Sequence, residues 1–188
     1  MAMARAATGL RRMVDHEVLL SVPSVAILTR QDAIKLVTKA DSLKLVAVRQ
    51  DFSGVLSGRA LLIFPEAGSL ELVRLVVGKQ LPLEDIIDLE DEALAETGNI
   101  ILNSWVATIA NLLKQALKMS LPVVMRGHND DIFHIASESE SLVLFLHIRF
   151  EVSNHQINGY VALVMDIPTL DDFRSLIADF IARATREA

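Results

Sequence analysis

There is no cysteine among the 188 residues. Disulfides and thiolate metal sites are therefore excluded, a usage that fits a reducing cytoplasm. Positive charge is also scarce: 18 lysines and arginines stand against 24 aspartates and glutamates, for a net charge of -6. Without a basic patch to neutralise phosphates, nucleic acid is not an expected partner. Long apolar runs are missing too. The longest, such as Ala60 to Phe64 and Leu142 to Leu146, fall far short of the roughly 20 residues a membrane-spanning helix needs, so no membrane partner is expected. Met1 to Met13 carries three arginines but no continuous apolar core, so it does not read as a signal peptide. No Ser/His/Asp arrangement, Gly-rich phosphate loop or dinucleotide fingerprint is visible. His128, His134, His147 and His155 are scattered over loop and strand positions and read as ordinary histidines, so no metal-ligand set is evident.

What is present is a soluble globular composition, 52% hydrophobic and 22% charged, long enough for one compact domain or two fused halves. Two stretches share one grammar. The first runs through Val18 to Val25, Leu43 to Val48, Val55 to Phe64 and Ser69 to Val76. The second runs through Leu117 to Val124, Leu142 to His147, Ile157 to Met165 and Thr169 to Leu176. Pro23 matches Pro122, Gly58 matches Gly159, and Ser69 matches Thr169, at an offset of roughly 100 residues that marks an internal repeat. The apolar segments between turn residues read as strands. Phe52-Ser53-Gly54 and Asn154 to Gly159 read as hairpin connections. Ser69 and Thr169 read as helix N-caps, followed by Glu71 in one case and by Asp171 and Asp172 in the other. The expectation is a single α+β domain over 1–188 made of two pseudo-repeats, about 1–88 and 89–188. Their strands join in one antiparallel sheet with long helices packed on one face, related by a pseudo-two-fold axis.

The strongest helical pattern spans about Glu90 to Lys118. At 100° per residue, Leu94, Gly98, Ile101, Trp105, Ile109 and Leu112 share one face, and Glu92, Glu96, Asn99 and Asn103 the opposite one. The spacing sets the Glu96 carboxylate beside the Asn99 carboxamide, one turn on. Such a stripe is by default a solvated face. Gly98 is harder to dismiss, since a mid-helix glycine costs about 1 kcal/mol against alanine and calls for close packing as its reason.

Glu92-Ala-Leu-Ala-Glu-Thr-Gly-Asn-Ile100 resembles the phosphatase signature of the CheC, CheX and FliY family. That signature is Asp or Ser, three residues, Glu, two residues, Asn, then 22 residues and Pro. Glu96 and Asn99 occupy the Glu and Asn positions, and Pro122 follows Asn99 after 22 intervening residues. Asp51 to Glu66 is also similar to family text, and the likeness extends from about Thr8 to about Ile181. Two departures stand out. Glu92 holds the Asp/Ser position. The first repeat lacks the front of its long helix: Ala6 to Val14 resembles only the back of it. Met1-Ala-Met looks like an added start, so a one-site member and a truncated two-site member are both open.

The resemblance implies a cytoplasmic phosphatase of chemotaxis or two-component signalling. Its substrate would be the phospho-aspartate of a CheY-like response regulator. No cofactor is implied on this chain; Mg²⁺ would sit on the receiver. Asn99 would position the attacking water, its carboxamide both donating and accepting, and Glu96 would pair with the receiver's lysine. Glu92, Gly98 and Pro122 would support the motif. The alternative is a non-catalytic module that grips a receiver or CheD with the same helix. A purely structural dimeric domain would leave Glu96 and Asn99 unexplained. The resemblance leaves monomer and homodimer open.

Overall fold

The computed structural model describes residues 2–13, 18–38, 44–77, 83–133, 141–152 and 155–166, with positions 171, 172, 175 and 178. Helices α1 (Ala2–Met13), α2 (Arg30–Thr38), α3 (Glu66–Val77), α4 (Leu83–Leu113) and α5 (Asn129–Ile132) alternate with seven strands. These are β1 (Val18–Thr29), β2 (Leu45–Gly54), β3 (Gly58–Pro65), β4 (Leu117–Met119), β5 (Val123–Gly127), β6 (Ser141–Val152) and β7 (His155–Asp166).

Among the described residues the strands form one antiparallel sheet, ordered β1-β6-β7-β3-β2, with β4 and β5 both paired to the outer side of β2. At its centre β3 faces β7, with Leu61 opposite Ala162, Ala60 opposite Leu163 and Leu62 opposite Val161. That ladder is unchanged when each residue is exchanged for its counterpart one Gly58-to-Gly159 repeat away. A side chain on Gly58 would collide with the Val164 carbonyl, and one on Gly159 would come within 3.0 Å of the Ile63 carbonyl. Both glycines are thus places where the partner strand comes too close for a Cβ. The order also reads alike from both ends, as β1 flanks β6 where β4 and β5 flank β2.

The two faces of the sheet bury separate cores. Val46, Val48, Leu62, Phe64, Leu146 and Leu163 pack under α1, α3 and α4, which contribute Leu10, Leu72, Leu94, Ile101 and Leu102. The alternate residues Leu45, Ala47, Leu61, Ile63, Val143 and Ala162 pack against Ala33 and Val37 of α2, Ile132 of α5 and Phe133. The long helices lie on one face as the sequence pattern implied. The opposite face carries two short helices that pattern did not foretell. This double cover explains why Leu45 to Val48, Ala60 to Phe64 and Val161 to Met165 are apolar without alternation: strand segments buried on both sides have no wet face to encode.

Several boundaries differ from the sequence reading. The long helix starts at Leu83, because the apolar spacing of Leu83, Ile86 and Ile87 already continues into it. It ends at Leu113 instead of Lys118, because Lys114 takes a left-handed φ of 55° and closes a C-cap. There the Gln115 amide donates to the Ala110 carbonyl at 3.0 Å and the Lys114 amide to the Asn111 carbonyl at 3.2 Å, the Schellman pattern. Ser69 is not an N-cap. The helix α3 begins at Glu66, directly after β3, and Ser69 lies buried in its first turn, its hydroxyl donating to the Glu66 carbonyl at 2.8 Å. Phe52 to Gly54 belong to β2, and the connection is 55–57; Gln156 to Gly159 belong to β7. Leu117 to Val124 is two short strands instead of one. Asp171, Asp172, Ser175 and Ala178 are helical; Thr169 lies outside the described residues.

Candidate functional site

The site is built where α4 crosses β2. Leu94, Thr97, Gly98, Ile101, Leu102 and Val106 are buried against the sheet. Gly98 is the point of closest approach. A Cβ there would lie 2.6 Å from Val48 Cβ, which is the packing reason its helical cost required. Trp105 and Ile109 are partly buried and pack on the same core. Leu112 is in α4, but its side chain lies outside the described ones. The N-terminal helix α1 runs alongside α4, Gly9 against Ile100.

On the outer face, Glu92 and Glu96 are exposed, and neither side chain has a hydrogen bond or ion pair among the described residues. Asn99 and Asn103 are half-buried, so the polar stripe is less uniformly wet than its spacing implied. Asn99 Oδ1 accepts from Gln50 Nε2 at 3.1 Å and from Asn103 Nδ2 at 2.6 Å. Asn103 Nδ2 also donates to the Asn99 carbonyl at 2.7 Å.

Gln50 joins this stripe to the segment that carries Pro122. Its Nε2 also donates to the Ser120 carbonyl at 2.8 Å. Strand β4 ends with Met119 opposite Phe52 and β5 begins with Val123 opposite Arg49, so residues 120–122 are left out of the ladder. Proline suits such a break, since it has no N–H to give a ladder. The looped-out segment is pinned by the Ser120 amide donating to the Asp51 carbonyl at 2.8 Å, and by the Asp51 amide donating to Ser120 Oγ at 2.9 Å. Beside it Leu121 is 84% and Val123 54% exposed, while Pro122 is half-buried. The spacing from Asn99 to Pro122 thus has a structural content: it returns the chain to the site after α4 and β4.

Charges brace this arrangement. Asp51 bonds Arg49 at 2.7 Å and Arg59 at 3.3 Å. The Arg49 guanidinium first, and then Arg59, hold the Asp51 carboxyl below its usual range against a smaller opposing effect of burial. Arg126 on β5 bonds Glu90 at 3.1 Å and Asp91 at 2.6 Å, fastening the early part of α4 to the sheet edge.

Of the residues singled out in the sequence, Glu92, Glu96, Gly98 and Asn99 lie along α4, with Glu92 and Glu96 exposed and Gly98 buried, and Gln50 links Asn99 to the segment that carries Pro122. Gln50 and Ser120 were not foreseen. In the sequence Gln50 stands between Arg49 and Asp51 and gives no sign of burial; only the sheet pairing puts it beside Asn99. Among the described residues no histidine joins the site. His128 is exposed with Nδ1 3.9 Å from Asp131, and His147 stacks on Tyr160. His134 and the side chain of His155 lie outside the described residues. Among the described residues no three His, Asp or Glu gather as a metal site, and no helix is long and apolar enough to cross a membrane.

No protein-family model and no curated protein matches the chain. Solved structures do. FliY from Thermotoga maritima aligns over 96% of this chain and 91% of its own, with a TM-score of 0.72 and 19% identity. CheX from Borrelia burgdorferi, solved in a complex with CheY, BeF3 and Mg²⁺, aligns over 88% and 96%, at 0.54 and 16%. The FliM middle domain of Vibro alginolyticus aligns over 93% and 94%, at 0.58 and 15%. The fold is that of FliY, CheX and the FliM middle domain. In this FliY-like fold, the long helix α4 carries Glu96 exposed to solvent and Asn99, one turn on, half-buried where the helix meets Gln50 of β2.

Proposed function

We propose that this protein is a cytoplasmic phosphatase of chemotaxis-type signalling that removes phosphate from a phospho-aspartyl CheY-like response regulator. The observation that carries the reading is the pairing, one helical turn apart, of an exposed carboxylate with no described partner and a carboxamide held by two neighbours. Glu96 is poised to meet a cation from outside; Asn99 is poised to hold something small and polar in place. The receiver, which carries Mg²⁺ as its own cofactor, would dock over α4 with Leu121 and Val123 as an apolar rim.

In this reading Glu96 pairs with a receiver lysine and fixes the register, a role that suits a carboxylate better than contact with a phosphoryl group. Asn99 holds a water in line with phosphorus. The water oxygen bonds to phosphorus as the bond to the aspartyl oxygen breaks. The aspartate leaves as a carboxylate with the bonding pair, and the water's atoms end in inorganic phosphate and a released proton. Gly98 lets α4 sit close on β2, Pro122 shapes the loop beside Asn99, and Glu92 is a longer substitute at a position where the signature has Asp or Ser. The matching registers at the sheet centre support the proposal that the chain is one unit of two related halves.

The test is phosphate release from a phosphorylated receiver, with and without the protein. Acceleration of dephosphorylation supports the reading; tight binding without acceleration would leave the second reading, a binding module for a receiver or CheD. Glu92 favours that second reading, because it stands where the signature has Asp or Ser and its longer side chain does not reproduce a short oxygen-bearing group.

A further inference from the structure

We propose that Gln50 is a positioning residue that turns the Asn99 carboxamide so that only its NH₂ group faces outward. This rests on the reading of Asn99 as the group that engages the attacking water.

The orientation follows from two backbone carbonyls, which can only accept. The Gln50 atom 2.8 Å from the Ser120 carbonyl must be its nitrogen. That nitrogen lies 3.1 Å from the Asn99 side chain, so the Asn99 atom facing it must be the oxygen. Independently, the Asn103 atom 2.7 Å from the Asn99 carbonyl must be nitrogen, and it too points at Asn99 Oδ1, at 2.6 Å. Both acceptor positions of Oδ1 are therefore filled from within. What Asn99 has left is Nδ2, with two N–H groups and no partner among the described residues. The sequence suggested an amide that both donates and accepts; the geometry assigns it donation alone. An N–H that holds one lone pair of a water oxygen leaves another lone pair to face phosphorus.

Gln50 is placed for this role against the interest of the core. It is 1% exposed, and its Oε1 has no hydrogen-bond partner. A buried carbonyl left unpaired is unfavourable. The other half of the sheet makes the opposite choice. Gln50 faces Ala60 of β3, and Val161, the counterpart of Ala60 in β7, faces Leu146 of β6. Leu146 is buried in the apolar core. An aliphatic side chain fills that place where no asparagine has to be held.

The experiment compares wild type with Gln50→Leu, and with Gln50→Met as a second variant of similar volume. The expected result is an unchanged or raised Tm with a kcat for receiver dephosphorylation lowered about tenfold or more and KM unchanged, as loss of positioning predicts. In the free protein, the Asn99 side-chain ¹⁵N–¹H signals should lose order in both variants. Gln50→Glu, of the same shape, should lose rate at neutral pH and recover part of it relative to wild type as the pH is lowered and its carboxyl regains a proton to donate. Wild-type kcat in Gln50→Leu and Gln50→Met, a loss confined to KM, or an Asn99 amide of unchanged order would overturn the proposal. If wild type does not dephosphorylate the receiver, the functional reading falls, and the order of the Asn99 amide still decides whether Gln50 holds it.

Discussion

Asn99 and Glu96 share a helix face but not a condition. The first is clasped by Gln50 and Asn103, and the second stands exposed without a described partner. Substitutions should separate them. Asn99→Ala should lower the rate of receiver dephosphorylation about 100-fold or more, the scale of a lost catalytic or positioning group, with receiver affinity largely kept. Single-turnover phosphate release and a binding titration check both halves; a rate above about a tenth of wild type would remove Asn99 from the water. Glu96→Ala should weaken docking and rate together, by about 2–5 kcal/mol if the ion pair it forms is desolvated. Unchanged affinity and rate would place Glu96 outside the contact. At this scale the sequence was informative wherever a residue's neighbours are local. Glu96, Gly98 and Asn99 lie within one turn, and their relation follows from helical spacing alone. Gln50 reaches Asn99 across 49 positions through a sheet register, which periodicity does not encode.

The element that carries the site, α4, is fitted to β2 through a glycine. Gly98→Ala would gain about 1 kcal/mol in helix propensity. It would also set a Cβ within 2.6 Å of Val48 Cβ, and overpacking of this kind costs about 1–3 kcal/mol. The net expectation is a lower denaturation midpoint. Val48→Ala alone should also destabilise, by leaving a cavity, yet the double variant should lose less than the two singles together, because each substitution makes room for the other. Strict additivity in urea denaturation would show that the contact is not what governs Gly98. Element type was legible from apolar periodicity, and element ends were not. Lys114 closes α4 in a conformation more usual for glycine, and no glycine stood there to mark it. Ser69 has the chemistry of a cap, but the chain turns from β3 straight into helix three residues earlier. The helix α2 covers a sheet face whose existence a two-layer reading does not require, so Ala33 and Val37 gave little reason to look for it.

For the whole molecule, the repeat led to the expectation of one antiparallel sheet shared by two halves, and the pairing of β3 with β7, which leaves β1 and β4 with β5 on the outside, is supplied by the structure. Acid should test how the site-bearing half is held. Asp51 links Arg49, Arg59 and the 120–122 loop, and its carboxyl is held below the usual value, first by Arg49 and then by Arg59. A carboxyl whose folded pKa is depressed contributes stability that is complete above its unfolded value, about 3.9, and is lost as pH falls through the lower folded value. Asp51→Asn should therefore be less stable than wild type near neutrality, and the difference should shrink as the pH is taken below about 3.9. A difference in denaturation midpoint that stays constant as the pH is taken well below about 3.9 would mean that the two arginines do not set the Asp51 charge.

A proline interrupts each outer margin of the sheet, and this bears on how the molecule behaves in crowded solution. Pro23 sits at the register shift of β1, and Pro122 between β4 and β5. Strand β1 exposes Leu19, Val25 and Ile27, so an unbroken margin there would be an adhesive template for any other extended chain. The missing N–H and the kink at Pro23 deny such a guest a continuous ladder. Pro23→Val should leave the chain folded but make it associate further as concentration rises, visible as growing particles in light scattering. A variant that stays as dispersed as wild type would show that the margin is protected by something other than its proline.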